Sequence, residues 1–373
     1  MNKKLIALAI GSLVSGAVAA QTNVTVYGVV DAGYVYSSGS AGPGMGTNKF
    51  SGIASGIAAG NRLGFRGEEA LGNGLKAVFT LEYGLDIDTN QGLGTGGLNA
   101  RQQFVGLSSA KLGTVALGRQ YSPGFNAAAR NDALDATDMA IQSSLSALNG
   151  YTVTPNSPAR FNNSVTYTSN NYSGLTFSAI YGFGESNLGG LNNASTSDNG
   201  KGGLGLNYAN GPVNVDLVYQ TRQNVNIAYP NPAGMGKDIN EWYIGGNYDF
   251  KVAKVFASYQ ALDNKNNLVG AGSVDDSDLW TLGVSAPVGP GTAALSYGKV
   301  TTDRRNVADG SSWGAGAMYT YPLSKRTAVY AAYSYFDNNK HVIVPGQTII
   351  VPGQIGAANE SNYTLGAGLM HSF

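Results

Sequence analysis

Three arginines and three aspartates carry the chemistry open to this chain. Arg62, Arg101 and Arg160 sit at the heads of alternating stretches, NRLGFRGE, ARQQFVGL and ARFNNSVTY. Asp132, Asp135 and Asp138 recur at every third position within an Ala- and Leu-rich gap, residues 122–159. There is no Cys, and only two His occur in 373 residues. Thiolate chemistry and Cys-based metal sites therefore drop out. Ser–His catalysis would need a suitably placed His. His371 lies at the outward rim of the last apolar-alternating stretch, His341 lies in a loop, and no Ser-centred motif accompanies either. What remains is electrostatics. Opposite charges held across a gap set up a field, and low-dielectric walls focus it.

The arginines need strands to aim them. In NRLGFRGE, Leu63 and Phe65 point one way and Arg62, Gly64, Arg66 and Glu68 the other, a period of two. If the apolar pair faces lipid, Arg62 faces an enclosed aqueous interior. In ARFNNSVTY, Phe161, Val165 and Tyr167 face out and Arg160 faces in. Arg101 is open to both readings. With Phe104 toward lipid it points in; with Val105 and Leu107 toward lipid it points out. An Arg in lipid near the midplane costs about 2–4 kcal/mol, which favours the inward choice. Arg119 shares a face with Val115 and Leu117. A lipid-facing Arg is unfavourable, so either that wall is covered by protein, as a subunit contact, or Arg119 sits at the extracellular rim and reaches headgroups.

The same beat runs along the chain. Strand signals cover Val24–Ser37, Arg62–Glu69, Leu75–Asp88, Arg101–Ser109, Thr114–Tyr121, Phe161–Ser169, Leu175–Gly184 and Gly203–Ala209. They continue at Val213–Arg222, Glu241–Phe250, Val252–Leu262, Leu279–Pro287, Thr292–Thr302, Ser312–Pro322, Thr327–Asp337 and Ser361–Phe373. Tight turns such as Leu71–Gly74 and Asn210–Pro212 alternate with long connections, among them Ser38–Gly60, Ser186–Gly202, Gln223–Asn240 and Asn338–Glu360. Charged residues make up only 12%, about half the globular norm. Beyond residue 20 no run of about 20 apolar residues exists, so helices are not the spanning elements. Aromatics fall near strand ends, where a ring suits a membrane interface. Together these predict an all-β, 16-stranded antiparallel transmembrane β-barrel, its last strand paired with its first.

Residues 1–20 read as a signal peptide, with Lys3 and Lys4, an apolar Leu5–Val14 core and a small-residue site ending at Ala20; residues 21–373 form the barrel. Its removal leaves 21 basic against 23 acidic side chains, a formal charge of −2. No nucleic-acid footprint follows. The longest gap, tethered at both ends, would fit inside a wide polar lumen. Its Ala127–Leu148 core predicts a short helix whose spacing sets Asp132, Asp135 and Asp138 near one face. Apolar Phe125, Leu134, Met139, Ile141 and Leu145 argue against its full exposure.

Several stretches resemble Gram-negative general porins: YTYPLSKRTAVY at Tyr319–Tyr330, NRLGFRGE at Asn61–Glu68, VYGVVDAG at Val26–Gly33, and the terminal His-x-Phe of neisserial and other betaproteobacterial members. The resemblance implies a homotrimer and a water-filled channel passing ions and small hydrophilic solutes by diffusion, with the third long loop, residues 122–159, folded inward as a constriction. It also implies contacts with outer-membrane lipid and lipopolysaccharide, and Phe373 as a signal to the barrel-assembly machinery. Arg62, Arg101 and Arg160 would correspond to the basic cluster facing the constriction loop. Thr137-Asp138-Met139 is similar to an acid-bearing stretch of enterobacterial constriction loops. No cofactor, metal or catalytic role is expected.

Other signals point elsewhere only weakly. Gly92, Gly94 and Gly97 spell GxGxxG but lead into a strand, so no helix N-terminus waits for a pyrophosphate. Asp275, Asp276 and Asp278 offer oxygen ligands to Ca²⁺ but read better as a solvated outer loop. Two further readings stay open. One is a solute-specific channel, which would show a ladder of inward aromatics; Tyr27 and Tyr121 are the candidates. The other is a barrel acting mainly in adhesion through its loops.

Overall fold

The computed structural model describes residues 23–40, 46–89, 99–184, 197–227, 234–264, 266, 276–303, 308–339, 341 and 358–373. The leader, the glycines at 92, 94 and 97 and Asp275 lie outside them.

Period-two residues become strands, each pairing antiparallel with the next. They are β1 (Asn23–Ser40), β2 in two pieces (Thr47–Ser55 and Arg62–Gly72), β3 (Leu75–Gly84), β4 (Asn99–Ser109), β5 (Gly113–Tyr121), β6 (Arg160–Thr168), β7 (Leu175–Gly182) and β8 (Lys201–Asn210). The series continues with β9 (Val213–Arg222), β10 (Ile239–Asp249), β11 (Lys254–Asn264), β12 (Asp276–Val288), β13 (Gly291–Asp303), β14 (Gly310–Pro322), β15 (Thr327–Asn338) and β16 (Ser361–Ser372). β16 returns to β1 from Val29↔Ser372 to Gly39↔Asn362. Phe373 completes the seam, exchanging backbone hydrogen bonds with Gly28 at 3.1 and 3.3 Å. The sheet is a closed barrel of 16 strands, so its backbone groups pair around the whole circumference and no edge is left.

Alternation sorts the two faces. Val105, Leu117, Trp242, Ile244, Leu282 and Leu295 are exposed on the outside. A row of aromatics runs round that side near the long-loop ends: Trp280, Tyr297, Trp313 and Tyr335 follow one another at 5.5, 5.7 and 5.4 Å between ring centroids. Their inward neighbours, such as Glu241, Gln260 and Ser334, are buried.

The expected long loop Ser38–Gly60 is instead mostly strand. β1 runs on to Ser40, and Thr47–Ser55 pairs back along it. β2 then leaves the ladder for Gly56–Asn61, opposite only Val30 and Asp31, and rejoins at Val29↔Arg62. Asp31 causes the detour to close: its Oδ2 accepts the N–H groups of Ala58 and Ala59 at 2.6 and 2.7 Å. Its Oδ1 accepts the Tyr330 hydroxyl at 2.6 Å.

The 122–159 segment forms two helices, α1 (Pro123–Arg130) and α2 (Ile141–Leu148), not one helix across its middle. Ser122 caps α1, its Oγ accepting the Phe125 N–H at 3.2 Å, with Pro at the first helical position. The helix stops where side chains compete with the backbone. Asn131 donates Nδ2–H to the Ala127 carbonyl at 2.9 Å, and Asp132 Oδ1 accepts the Leu134 N–H at 2.9 Å. Asp135 and Ala136 then adopt φ of +54° and +56°, which no helix allows. The three aspartates thus lie in the turn between helices and share no helical face.

That segment packs on the inward wall. Ile141, Leu145 and Tyr151 join Ile239, Leu262, Leu279, Val300 and Phe336 in one buried cluster. Met139 packs with Val35, Ile57 and Tyr330, and Leu134 with Phe256 and Ala294. The apolar wall residues alternate with the exposed ones of the same strands, so burying them needs an internal cover.

Candidate functional site

The three arginines come together on the inward wall of β2, β4 and β6. Arg101 Nε donates to Glu82 Oε1 at 2.8 Å, with both side chains largely buried. Arg101 Nη2 donates to the Tyr121 hydroxyl at 3.0 Å. Tyr121 in turn donates to Glu82 Oε1 at 3.0 Å, and Tyr27 donates to Glu82 Oε2 at 2.9 Å. Arg160 lies with its Cζ 5.8 Å from the Tyr121 ring centroid and 6.0 Å from that of Phe125, whose ring stacks on Tyr121 at 3.7 Å. Arg62 has Arg101 and Glu82 as charged neighbours, and its Nε is buried without a partner among the described residues. Three guanidiniums therefore gather near Glu82, and among the described residues Arg101 is the one that contacts it.

Irregularities in the ladder aim two of them. On β4, Val105 and Leu107 are the outward residues, and Phe104 lines an inward pocket with Arg66 and Thr80. Strict alternation would turn Arg101 outward. A register shift between Glu82 and Tyr83 places it inward instead. On β6, Phe161 is fully buried, not lipid-facing, with Lys201 Nζ 5.3 Å from its ring centroid. A register shift between Gly118 and Gln120, facing Asn163 at φ +46°, breaks the expected pattern. Arg160 reaches the cluster although the face assigned to Phe161 was wrong.

The aspartates separate. Asp132 is 4% exposed, and its Oδ2 has no hydrogen-bond partner among the described residues. Burial, and then the charge of Asp135, push its carboxyl up to about 7. It belongs to the loop's interior and does not line the channel. Asp135 is exposed, with Lys254 as its basic neighbour. Asp138 is exposed, and its backbone N–H donates to the Ile57 carbonyl at 3.1 Å. That bond seats the loop on the Gly56–Asn61 detour, where Asp138 has Arg101, Asp31 and Asp86 as charged neighbours. Gly60 is part of the fit: a Cβ there would lie 3.1 Å from Arg101 Nη1.

Wall carboxylates that the sequence reading passed over hold the loop. Glu241 accepts the N–H groups of Thr152 and Val153 and the Thr152 hydroxyl, with Arg222 3.4 Å away. Asp216 pairs with Arg130 at 2.5 Å and accepts from Asn131 at 2.8 Å. Gln220 accepts the Gly124 N–H at 2.9 Å. Each of these, like Glu82 and Asp31, sits on an inward-facing strand position.

Arg119 folds back along its own wall. It donates to the carbonyls of Ala100 at 2.9 Å and Arg160 at 3.2 Å, and to Asn162 Oδ1. Phe373 stands at the seam, its ring over Gly28.

The model of a family described as Gram-negative porin matches residues 5–341. An outer membrane porin protein of Bordetella pertussis is 30% identical over 376 residues, spanning 91% of this chain and 95% of the relative. Outer membrane porin protein 32 of Delftia acidovorans is 29% identical over 374 residues, spanning 100% of both. Among solved structures, the anion-selective porin from Comamonas acidovorans superposes with a TM-score of 0.76 at 26% identity, covering 95% of this chain and 100% of that one.

Proposed function

This chain belongs to the Gram-negative porin family and is an outer-membrane channel for ions and small hydrophilic solutes, and from that premise we propose that segment 122–159 narrows the channel beside an arginine-rich wall that favours anions. The gathering of Arg62, Arg101 and Arg160 near Glu82 carries the reading. Asp138 places a carboxyl on the loop opposite, with Arg101 as its basic neighbour and Asp31 and Asp86 as acidic ones, and Asp135 beside Lys254 forms a second, outlying pair. Such fixed, partly dehydrated charges orient polar solutes and raise the local concentration of anions. The Comamonas relative, an anion-selective porin, agrees with that preference.

The finer assembly belongs to the same proposal. Residues 1–20 are removed on export, Phe373 marks the chain for barrel assembly, and three copies associate. Exposed Val115 and Leu117 would then meet a neighbouring copy, with Arg119 bracing that surface from its backbone contacts. The outer aromatic row would contact lipid and lipopolysaccharide.

Replacing Arg62 with Glu tests the constriction. In planar bilayers the reversal potential under a salt gradient should move toward cation preference. An unchanged potential would remove Arg62 from the ion path.

A further inference from the structure

We infer that the lumen carries a second solute site, set apart from the arginines, which takes a small neutral polyhydroxylated molecule of about monosaccharide size. It is a 200 Å³ cavity between α1 and the inward wall of β6–β9. Strand register builds its floor. Thr168, Ser178, Gly205 and Val218 follow one another across four strands in one row, and Thr176, Asn207 and Asp216 form the next. Both rows lie near the short turns after Thr168 and Asn210.

The roof is one face of α1. Pro123, Asn126 and Arg130 stand at i, i+3 and i+7, so they project together. Gly205 lets the helix come this close: a Cβ there would lie 2.6 Å from the Pro123 Cβ and 2.8 Å from Ser178 Oγ. Phe125, on another face, stacks on Tyr121 beside the arginine cluster, so the helix divides the two sites.

The lining chemistry selects the solute. Arg130 and Asp216 form an ion pair with no net charge, and Asn131, Asn207 and Asn214 also donate to that carboxylate. An anion would gain little here and would meet Asp216. The side chains of Asn126, Thr168 and Thr176 line the cavity without a hydrogen bond to other described residues. An amide and two hydroxyls both donate and accept, which is what vicinal hydroxyl groups require. Pro123 and Val218 add an apolar edge for the carbon face of such a molecule. The cavity is smaller than a typical ligand pocket. Weak binding suits a channel, where a solute must leave as readily as it enters.

The test is single-channel recording of the reconstituted full-length protein with glucose or sorbitol added to either side. The site predicts a current reduction that saturates in the millimolar range. In the Asn126→Ala, Thr176→Val double variant, half-saturation should rise at least about tenfold, from the loss of two or more hydrogen bonds. Salt conductance checks that the variant is folded and open. If that variant fails to insert, Thr168→Val with Ser178→Ala takes its place. A reduction that grows linearly with concentration and is the same in both channels overturns the site. So does saturation by inorganic phosphate but not by glucose. Reversal potentials from the same membranes report the arginine cluster separately, so either reading can fail alone.

Discussion

The Glu241 carboxylate grips the Thr152 backbone N–H with both oxygens, at 2.9 and 2.8 Å, in a position 1% exposed to solvent. The bond joins the inward wall of β10 to the returning limb of segment 122–159, 89 residues earlier in the chain. Val153 N–H and the Thr152 hydroxyl complete the grip. Only an acceptor fits there. Glu241→Gln would turn an amide N–H toward other N–H groups and leave buried donors unmet. The expected cost is roughly 3 kcal/mol, since charge-assisted hydrogen bonds contribute about 1.5–3 kcal/mol each. A lowered thermal midpoint together with noisier open-channel current would show the loop loosened. A wild-type midpoint and quiet current would mean that the grip contributes nothing.

Ala136 holds φ of +56° next to Asp135 at +54°. A Cβ is unfavourable there, and glycine is not. Ala136→Gly should therefore stabilise the folded channel by about 0.5–1 kcal/mol, the relief of strain exceeding the added freedom of the unfolded chain. Thermal unfolding in detergent measures it. A lower midpoint would mean that the turn is not strained.

Asp132 makes the protein's stability depend on pH. Its carboxyl lies near 7, against an ordinary 3.8, because burial penalises the charge. Below about pH 4 it is protonated both folded and unfolded. Between about 4 and 7 only the unfolded chain ionises it, so folding loses stability as pH rises, and above 7 the loss is complete. Three units correspond to at most about 4 kcal/mol. Asp132→Asn should flatten the decline of the thermal midpoint across that window. An equal slope in both proteins would place the titration elsewhere.

Gly28 connects the barrel seam to the arginine cluster. A Cβ at this position would lie 2.3 Å from Phe373 Cζ and 2.6 Å from the Arg62 carbonyl oxygen. The ring can swing away; the Arg62 backbone cannot. Gly28→Ala should destabilise by about 1–3 kcal/mol, in the range of overpacking, and alter single-channel conductance through the displaced Arg62. A stable variant of unchanged conductance would show that the seam tolerates the methyl group.

Alternation made the barrel legible. Val105 and Leu107, Trp242 and Ile244, and Val115 and Leu117 all face outward as a period of two requires. It also held the wall carboxylates. Glu82 follows Leu81, Asp216 lies between Val215 and Leu217, and Glu241 precedes Trp242, so the alternation that turns Arg62 inward turns them inward too. Departures from the beat were not legible. The register shifts beside Arg101 and Arg119, and the detour after Ser55, depend on partner strands far along the chain. The acidic turn misled for a different reason. Three-residue spacing suggests a helix, yet the Asn131 and Asp132 side chains capture the backbone groups that would have continued one.

The zero-current potential of the reconstituted wild-type channel under a KCl gradient tests the arginine-rich constriction most directly. The geometry of Arg62, Arg101 and Arg160 around Glu82 predicts the sign of a chloride-preferring pore. A potential of the opposite sign, reporting potassium preference, would contradict it.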